Sequence, residues 1–281
     1  MANKEKIAWV TDSTCSLDRE FIKENNIFVI PLYILFGQKS YKEEIDLTAE
    51  EFYIKLTESK DLPTTSQPAL GEFVELYNNI KENYSKVIAI HASSALTGTY
   101  QGSVTAADMS DIEVKVIDSK VGSYPLGRMV REGIRLQQEG RSYDEITAYL
   151  DSLPDKAQLY LVPGSLQQLN KGGRVSGSQA LIANLIKLKV IIKFENGKAI
   201  MSEKIRTAKK LKKRLFDIFE EASNGVTEAS VLHANDEERA ERWKQELESL
   251  YPDIRFVTTM LSPIAGAHTG QGTMGLSWIK S

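Results

Sequence analysis

The chain has 281 residues, of which 26% are charged and 42% hydrophobic, and its formal net charge is −3. This length is enough to form the hydrophobic cores of two domains or of one large domain. The slightly negative net charge excludes a protein that coats nucleic acid with its whole surface. The single cysteine, Cys15, excludes an internal disulfide framework. The N-terminal stretch MANKEKIAWVTDS lacks the apolar run of a signal peptide, so we expect a cytoplasmic protein.

Strand-like and helix-like stretches alternate over the first half of the chain. Strands are predicted at KIAWV, FVIPLYILF (residues 28–36), KVIAIHA and VKVID. Helices are predicted at LDREFIKENN, TAEEFYIKLTES, QPALGEFVELYNNIKENY and SYDEITAYLDSLP. Two of these helices open with capping boxes, Thr48 with Glu51 and Ser142 with Glu145. The alternation predicts an α/β fold whose N-terminal sheet is mostly parallel and covered by helices.

The second half begins near residue 155 and mixes hairpins with helices. A short helix, LQQLN, is predicted to end at Gly172–Gly173, and a further helix is predicted at QALIANLIKL. The stretch VIIKFENGKAIMSEK predicts a hairpin that turns at Asn196–Gly197. The helix TAKKLKKRLFDIFEEAS, the strand ASVLHA, the helix DEERAERWKQELESLY and the strand IRFVTTML follow. This order predicts a second α/β domain with a mixed sheet.

Several familiar enzyme motifs are absent or incomplete. Gly270, Gly272 and Gly275 have the spacing of a dinucleotide fingerprint, but only six residues follow, so no βαβ unit can be completed. The chain contains no P-loop and no G-x-S-x-G nucleophile elbow. Its three histidines are far apart in sequence and include no H-E-x-x-H motif, so we expect no metal site.

Four hydroxyl-rich stretches follow or precede predicted elements: TDSTCS, PTTSQP, HASSALTGTYQG and DSKVGS. Loops at the carboxyl ends of parallel strands gather at one edge of a sheet and form the ligand crevice. Hydroxyl groups and helix N-terminal N–H groups at that edge suit an anion. Serine, threonine and aspartate are also preferred N-caps, so helix capping is the competing interpretation of each stretch.

Ser93 stands two residues after His91, and the two side chains would face the same side of a strand. The pair leaves open a serine-dependent hydrolase or acyl transferase, with His91 or His268 as the base and Ser93 or Ser94 as the nucleophile. The structural alternative is a buried strand-end histidine that bonds to the backbone.

Two basic stretches carry further alternatives. In NKGGRVSG, Lys171 and Arg174 flank a glycine pair, which indicates either an anion site or a helix end with solvated cations. The segment Lys204–Arg214 has seven cations in eleven residues. It predicts a solvated face, a docking patch for an acidic protein or a nucleic-acid site, although no nucleic-acid motif accompanies it.

The stretches TDSTCSL, PTTSQP, SSALTGTYQ, DSKVGSYPLG, LNKGGRVSG, LKVIIKFENGK with EKIRT, and SPIAGAHTGQGTMGL together resemble the DegV family of bacterial fatty-acid-binding proteins. The resemblance covers essentially the whole chain. It implies an α/β fold of two domains, residues 1–155 with the carboxylate-binding loops and helices on both sheet faces, and residues 156–281 closing the lipid pocket. It further implies one buried long-chain fatty acid, such as palmitate, stearate or oleate, and no cofactor.

The resemblance also implies a carrier that performs no chemistry itself. A separate fatty acid kinase would convert the carboxylate to an acyl phosphate for phospholipid synthesis, and transient membrane contact is compatible with this role. Arg206 matches the family's kinase-docking arginine, which makes the basic segment a partner surface rather than a nucleic-acid site. The residues matched to carboxylate binding are Thr64 or Thr65, with Thr65 preferred, Ser93 or Ser94, Arg174, and His268 with Thr269 beside it.

The chain departs from the family pattern at four positions. Thr97 stands where serine is usual, and Val190 replaces a usual proline. Ser262 and Gln271 replace residues of the usual G-P…H-x-G-P-G pattern. We expect Gln271 to alter the rigidity of a glycine-rich loop that would carry His268 to the ligand. The alternative functions from other classes remain the serine-dependent acyl hydrolase or transferase and the nucleic-acid-binding regulator.

Overall fold

The computed structural model describes residues 6–59, 61–176 and 188–280. Its strands are β1 Ile7–Asp12, β2 Phe28–Ile30, β3 Tyr33–Phe36, β4 Lys39–Lys42, β5 Thr64–Ser66, β6 Lys86–His91, β7 Glu113–Asp118, β8 Ala157–Val162, β9 Val175–Ser176, β10 Lys189–Glu195, β11 Lys198–Ile205, β12 Glu228–His233, β13 Arg255–Met260 and β14 Met274–Ile279. Its helices are α1 Arg19–Glu24, α2 Ala49–Glu58, α3 Leu70–Ile80, α4 Thr99–Asp108, α5 Ser123–Gln138, α6 Tyr143–Asp151, α7 Leu166–Gly172, α8 Ala208–Ala222, α9 Glu237–Leu250 and α10 Pro263–Thr269. A 3-10 helix, Ser13–Cys15, follows β1.

The first sheet has four parallel strands in the order β2-β1-β6-β7. Alternate residues of the two central strands enter different cores. Val10 and Ala89 pack with α3 and α4, whereas Trp9 and Ile88 pack with α5 and α6. Helices therefore cover both faces, which explains why these strands are apolar throughout rather than alternating. The prediction of a parallel sheet with helices on both faces is confirmed.

The second sheet has seven strands of mixed direction in the order β13-β12-β14-β8-β10-β11-β9. The predicted hairpin is formed by β10 and β11, with positive φ at both Asn196 and Gly197, as a tight hairpin turn requires. In β8, Tyr160 packs on the side of α8 and α9, while Leu159 and Leu161 face the opposite way. The mixed sheet agrees with the prediction.

A third, three-stranded antiparallel sheet has the order β4-β3-β5 and corrects two predictions. The run FVIPLYILF is not one strand, because it divides at Pro31 into β2 and β3, which belong to different sheets. The stretch PTTSQP is not wholly a loop, because Thr64–Ser66 forms β5 and pairs with β3. The first error overlooked a local signal, since a proline interrupts a strand ladder, whereas β5 is defined by its pairing with the distant strand β3.

Among the predicted helices and strands, some details are confirmed, some elements were missed, and one helix lies outside the described residues. Both capping boxes are present, at Thr48 with Glu51 and at Ser142 with Glu145. The sequence did not predict α4, α5, α10 or β14. The helix predicted at QALIANLIKL falls, apart from Leu188, on residues 177–187, which lie outside the described part of the chain.

The strands divide at the same place as the predicted domains. Every strand of the parallel sheet precedes residue 155, and every strand of the seven-stranded sheet follows it. One hydrophobic core nevertheless joins residues of both halves, including Ile34, Leu126 and Leu232. The boundary at 155 stays a prediction. Within the described ranges, the helices are too short or too polar for any of them to cross a membrane.

Candidate functional site

A cavity with a volume of about 520 Å³ lies between the parallel sheet and the seven-stranded sheet. All four hydroxyl-rich stretches of the sequence contribute to its wall. Thr14, Thr65, Thr97 and Ser123 each represent one of them. The prediction that these stretches gather at one crevice is therefore confirmed, and its reason is that three of them follow the carboxyl ends of the parallel strands β1, β6 and β7.

Apolar side chains form the opposite wall of the cavity. Leu159 and Leu161 come from one face of β8, and Ile192 and Phe194 come from one face of the neighbouring β10. Sequence reasoning did not select these residues. The available signal was their spacing of two, which places both members of each pair on the same face of a strand. A cavity with one polar and one apolar wall suits an amphipathic ligand.

Thr65 and His268 meet at the polar wall. The Oγ1 atom of Thr65 lies 2.9 Å from Nε2 of His268, and the two share a hydrogen bond. Strand alternation explains why Thr65 rather than Thr64 is at the site. Thr64 is exposed, whereas Thr65 is half-buried and faces His268. The structure therefore brings Thr65 and His268 to the cavity, and Thr64 is not among its described lining residues.

His268 is partly buried at the polar wall of the cavity. Burial, together with the positive charge of Arg174, lowers the pKa of His268 to about 4, so its ring is neutral at neutral pH. Its Nδ1 atom is buried and has no hydrogen-bond partner in the described structure. A Cβ atom at Gly172 would lie 2.6 Å from that nitrogen, so only glycine leaves room for the ring there. One ring nitrogen of His268 therefore packs against Gly172, and the other bonds to Thr65.

Arg174 follows the end of α7, where Gly173 adopts a left-handed conformation with φ of 64°. Its guanidinium Nη1 donates to the carbonyl of Gly172 at 2.8 Å, and its Nε donates to the carbonyl of Leu96 at 3.4 Å. The side chain lines the cavity and is otherwise exposed. A fixed cation therefore stands beside the threonine–histidine pair.

His268 and Thr269 lie in the last turn of α10, not in a glycine-rich loop, which corrects the expectation from sequence. The Thr269 hydroxyl donates to the Ala265 carbonyl at 2.9 Å, and Thr269 also lines the cavity. Gly270 and Gly272 have positive φ values and form the tight turn between α10 and β14. Gln271 is exposed in this turn, and its carbonyl packs against Gly164.

Ser93 and Ser94 are not among the described lining residues of the cavity. Ser93 is fully buried and donates its hydroxyl to the carbonyl of Gly197 at 2.7 Å. Ser94 donates to the carboxylate of Asp118 at 2.5 Å. In the described ranges, no hydrogen bond links either serine to His91 or His268, so the geometry gives the hydrolase alternative no nucleophile–base pair.

His91 instead belongs to a separate buried network. Its Nδ1 lies 3.2 Å from the Asp12 carboxylate, and its Nε2 lies 3.0 Å from the Ser103 hydroxyl, which in turn bonds to Tyr77. The order Asp–His–Ser matches that of a catalytic triad. Asp12, His91 and Ser103 are nevertheless each 0% exposed, so no substrate can reach them in this structure. The network also positions the cavity wall, because Asp12 accepts from the Thr14 hydroxyl and the Ala92 amide.

Three of the seven cations in the basic segment form ion pairs with neighbouring acids. Lys212 pairs with Glu246, Lys213 pairs with Asp217, and Arg214 pairs with both Glu203 and Glu221. In the described part of the chain, no ion pair involves the remaining cations, which are Lys204, Arg206, Lys209 and Lys210. Arg206 is exposed between β11 and α8. As for metals, the residues described contain no group of three or more His, Cys, Asp or Glu side chains suited to an ion.

Comparison with known proteins gives concordant matches over nearly the whole chain. The family model described as "Uncharacterised protein, DegV family" matches residues 6–281. A DegV domain-containing protein of Halalkalibacterium halodurans is 39% identical over 277 residues, covering 97% of this chain and 98% of that protein.

Two solved structures share the fold. The crystal structure of DegV from Bacillus subtilis, described as a fatty acid binding protein, has a TM-score of 0.90 and 36% identity, covering 99% of this chain and 100% of that one. A fatty-acid-binding DegV family protein from Thermus thermophilus has a TM-score of 0.91 and 28% identity, covering 98% and 100%. These similarities confirm the predicted fold class.

Proposed function

The chain belongs to the DegV family, and from that premise we propose that it binds one long-chain fatty acid in the cavity and presents the carboxylate to a separate kinase. The observation that carries the proposal is the cavity itself, with an apolar wall from β8 and β10 opposite a polar wall that holds Thr65, Arg174 and His268. Relatives of the same fold are described as fatty acid binding proteins.

The two walls suit the two parts of such a ligand. Each buried methylene contributes about 0.8 kcal/mol, so about ten of them contribute roughly 8 kcal/mol without any covalent bond. A buried carboxylate must remain hydrogen-bonded, since an unpaired charge in an apolar site is prohibitive. Thr65, the His268 ring and the Arg174 guanidinium bring polar groups and a positive charge together at this wall. Palmitate, stearate and oleate are all ligands of this class.

Analysis of the lipid carried by the purified protein tests this proposal. Denaturing mass spectrometry after bacterial expression should release about one fatty acid per chain, because a cavity of this size takes one ligand. The delipidated protein should then take up added oleate. A protein that is empty as purified and that also ignores added oleate would contradict the proposal.

The basic segment supports a docking role for the kinase. Lys209 and Lys210 lie in the first turn of α8, where the positive end of the helix dipole disfavours cations. Their position is unfavourable for the isolated protein and suits an acidic partner surface. Arg206 lies seven residues beyond the cavity-lining Ala199 along β11, roughly 23 Å at about 3.3 Å per residue, so docking and lipid binding should be separable.

The Arg206→Ala variant tests the docking role. It should weaken kinase-dependent phosphorylation of the bound acid while oleate binding stays unchanged. Arg242→Ala is the matched control, because Arg242 is an exposed arginine of α9 outside the basic segment. Equal loss of phosphorylation and lipid binding in Arg206→Ala would mean that Arg206 supports the pocket instead. On this proposal the acyl phosphate feeds phospholipid synthesis and the protein acts in the cytoplasm, a role compatible with transient membrane contact.

A further inference from the structure

A second opening adjoins the ligand cavity. This cleft has a volume of about 910 Å³ and is lined by β13 and by residues that follow β1 and β4. Leu261 and Ser262, which immediately precede α10, line both spaces and form part of the wall between them. Glu43 lines the cleft at this wall.

Glu43 is an acidic residue in an unusual position. It is 1% exposed and directly follows β4. Its Oε1 atom accepts a hydrogen bond of 2.8 Å from the backbone N–H of Ile264, in the first turn of α10. Its Oε2 atom is buried and has no hydrogen-bond partner in the described structure. The side chain therefore satisfies a donor at the start of α10 with one oxygen, and the Ser13 hydroxyl lies close enough to the carboxyl to lower its pKa.

Three contacts hold α10 against the segment that runs from β3 to β5. Glu43 binds the Ile264 amide, the Tyr53 hydroxyl donates to the Leu261 carbonyl at 3.2 Å, and Thr65 bonds to His268. A Cβ atom at Gly266 would lie 2.6 Å from the Tyr53 hydroxyl, which shows how closely the helix is seated. The position of His268 thus depends on both ends of the helix.

The surroundings of Glu43 favour its neutral acid form. Burial raises the pKa of Glu43 to about 8 and outweighs the hydrogen bonds from the Ser13 hydroxyl and the Ile264 amide, which lower it; the nearby carboxylates of Asp12 and Glu44 add to the rise. The other titratable groups that face it are Cys15 in the 3-10 helix and Tyr53 in α2, and both have raised pKa values chiefly through burial. The first turn of α10 contributes only the Ile264 N–H.

We propose that Glu43 is a positioning residue of the fatty-acid site, whose neutral acid form holds the start of α10 and thereby sets His268 against Thr65. The inference rests on the proposed function, because the site it positions is the fatty-acid headgroup site. When Glu43 ionises, the charge requires hydration that the wall does not supply. The neighbouring cleft offers that water, so the ionised side chain turns toward it and releases the Ile264 amide.

The first test uses the ligand-free protein and does not depend on lipid binding. We expect the Ile264 amide signal and the His268 ring signal in NMR spectra to shift together with a midpoint near pH 8. This midpoint is far from the pKa of His268 itself, which is about 4. The shift should persist in Glu44→Gln, the matched control, since Glu44 is more exposed and pairs with Arg19. It should be absent in Glu43→Gln, which keeps the shape and the acceptor.

The second test follows oleate affinity with pH in the same variants. At pH 9 Glu43 is still protonated in about a tenth of the wild-type molecules, so oleate affinity should be about tenfold lower than at pH 7. Glu43→Gln should change by less than about twofold, whereas Glu43→Ala, which lacks the acceptor, should bind weakly at both values.

Two results would overturn the inference. One is a His268 signal that stays fixed while the Ile264 amide titrates, and the other is an affinity of Glu43→Gln that falls in parallel with the wild type. Failure of every variant to bind oleate at any pH would instead contradict the proposed function, and the NMR titration would still decide the role of Glu43.

Discussion

The two polar networks around His91 and His268 differ in one respect, which is whether the histidine is fully partnered. His91 is 0% exposed, and both of its ring nitrogens have partners, Asp12 and Ser103. His268 has one partner, Thr65, and one buried nitrogen without any. The network that resembles a catalytic triad is thus closed and structural, while the incomplete one faces the cavity. Position on the cavity wall, rather than a familiar residue pattern, indicates the candidate ligand site here, because His268 lines the cavity and His91 does not.

The largest effect is expected from breaking the closed network. Asp12→Ala should lower the free energy of unfolding by about 3–5 kcal/mol, because it leaves His91 buried without its carboxylate and frees the donors of Thr14 and Ala92. Urea unfolding followed by circular dichroism measures this loss. Asp111→Ala is the control, since the Asp111 side chain is 90% exposed and should contribute little. A loss of less than about 1 kcal/mol in Asp12→Ala would show that the network is dispensable.

The next effect concerns the protonation of the open histidine. The folded pKa of His268 is about 4 against an ordinary value of 6.5, so the unfolded chain binds more protons between these values. Stability from this group is complete above pH 6.5 and is lost as the pH falls toward 4. Relative to His268→Gln, which does not titrate, the delipidated wild type should therefore lose about 2 kcal/mol between pH 7 and pH 5. If the free energy of unfolding fell equally with pH in both proteins, His268 would not be held in its neutral form by the fold.

The smallest effect separates the two threonines of β5. Thr65→Val removes the hydroxyl that bonds to His268 and should weaken oleate binding by about fivefold, in keeping with about 1 kcal/mol for one hydrogen bond. Thr64→Val is the matched control on the exposed face of the same strand and should change affinity by less than about twofold. Titration calorimetry measures both variants. Equal weakening by the two substitutions would mean that β5 binds the ligand through its backbone rather than through Thr65.

Local sequence predicted those parts of the molecule that short-range physics defines. The capping boxes at Thr48 and Ser142 and the turn at Asn196–Gly197 are complete within a few residues, and all three are present. The hydroxyl-rich stretches were also predicted to meet, because the carboxyl ends of parallel strands share one edge of a sheet. This reasoning located the cavity without locating the atoms that point into it.

The orientation of individual side chains depended on distant partners and could not be predicted. Thr65 faces inward because its strand pairs with β3, and local sequence gave that stretch no strand signal. Ser93 turns away toward the Gly197 carbonyl, which is 104 residues further along the chain. Resemblance to a family transferred residue identities but not these contacts, so the roles of Ser93 and Ser94 in carboxylate binding stay predictions.

The contacts that hold α10 also bear on the order in which parts of the protein fold during synthesis. Thr65 and His268 are 203 residues apart, Tyr53 and Leu261 are 208 apart, and Glu43 and Ile264 are 221 apart. The parallel sheet has all its strands by Asp118, so it can form while synthesis continues. The cavity cannot close until α10 has left the ribosome, because α10 carries His268 and Thr269 of its wall. A chain shortened before α10 would lack His268 and with it the proposed headgroup site, so lipid loading would report a finished polypeptide.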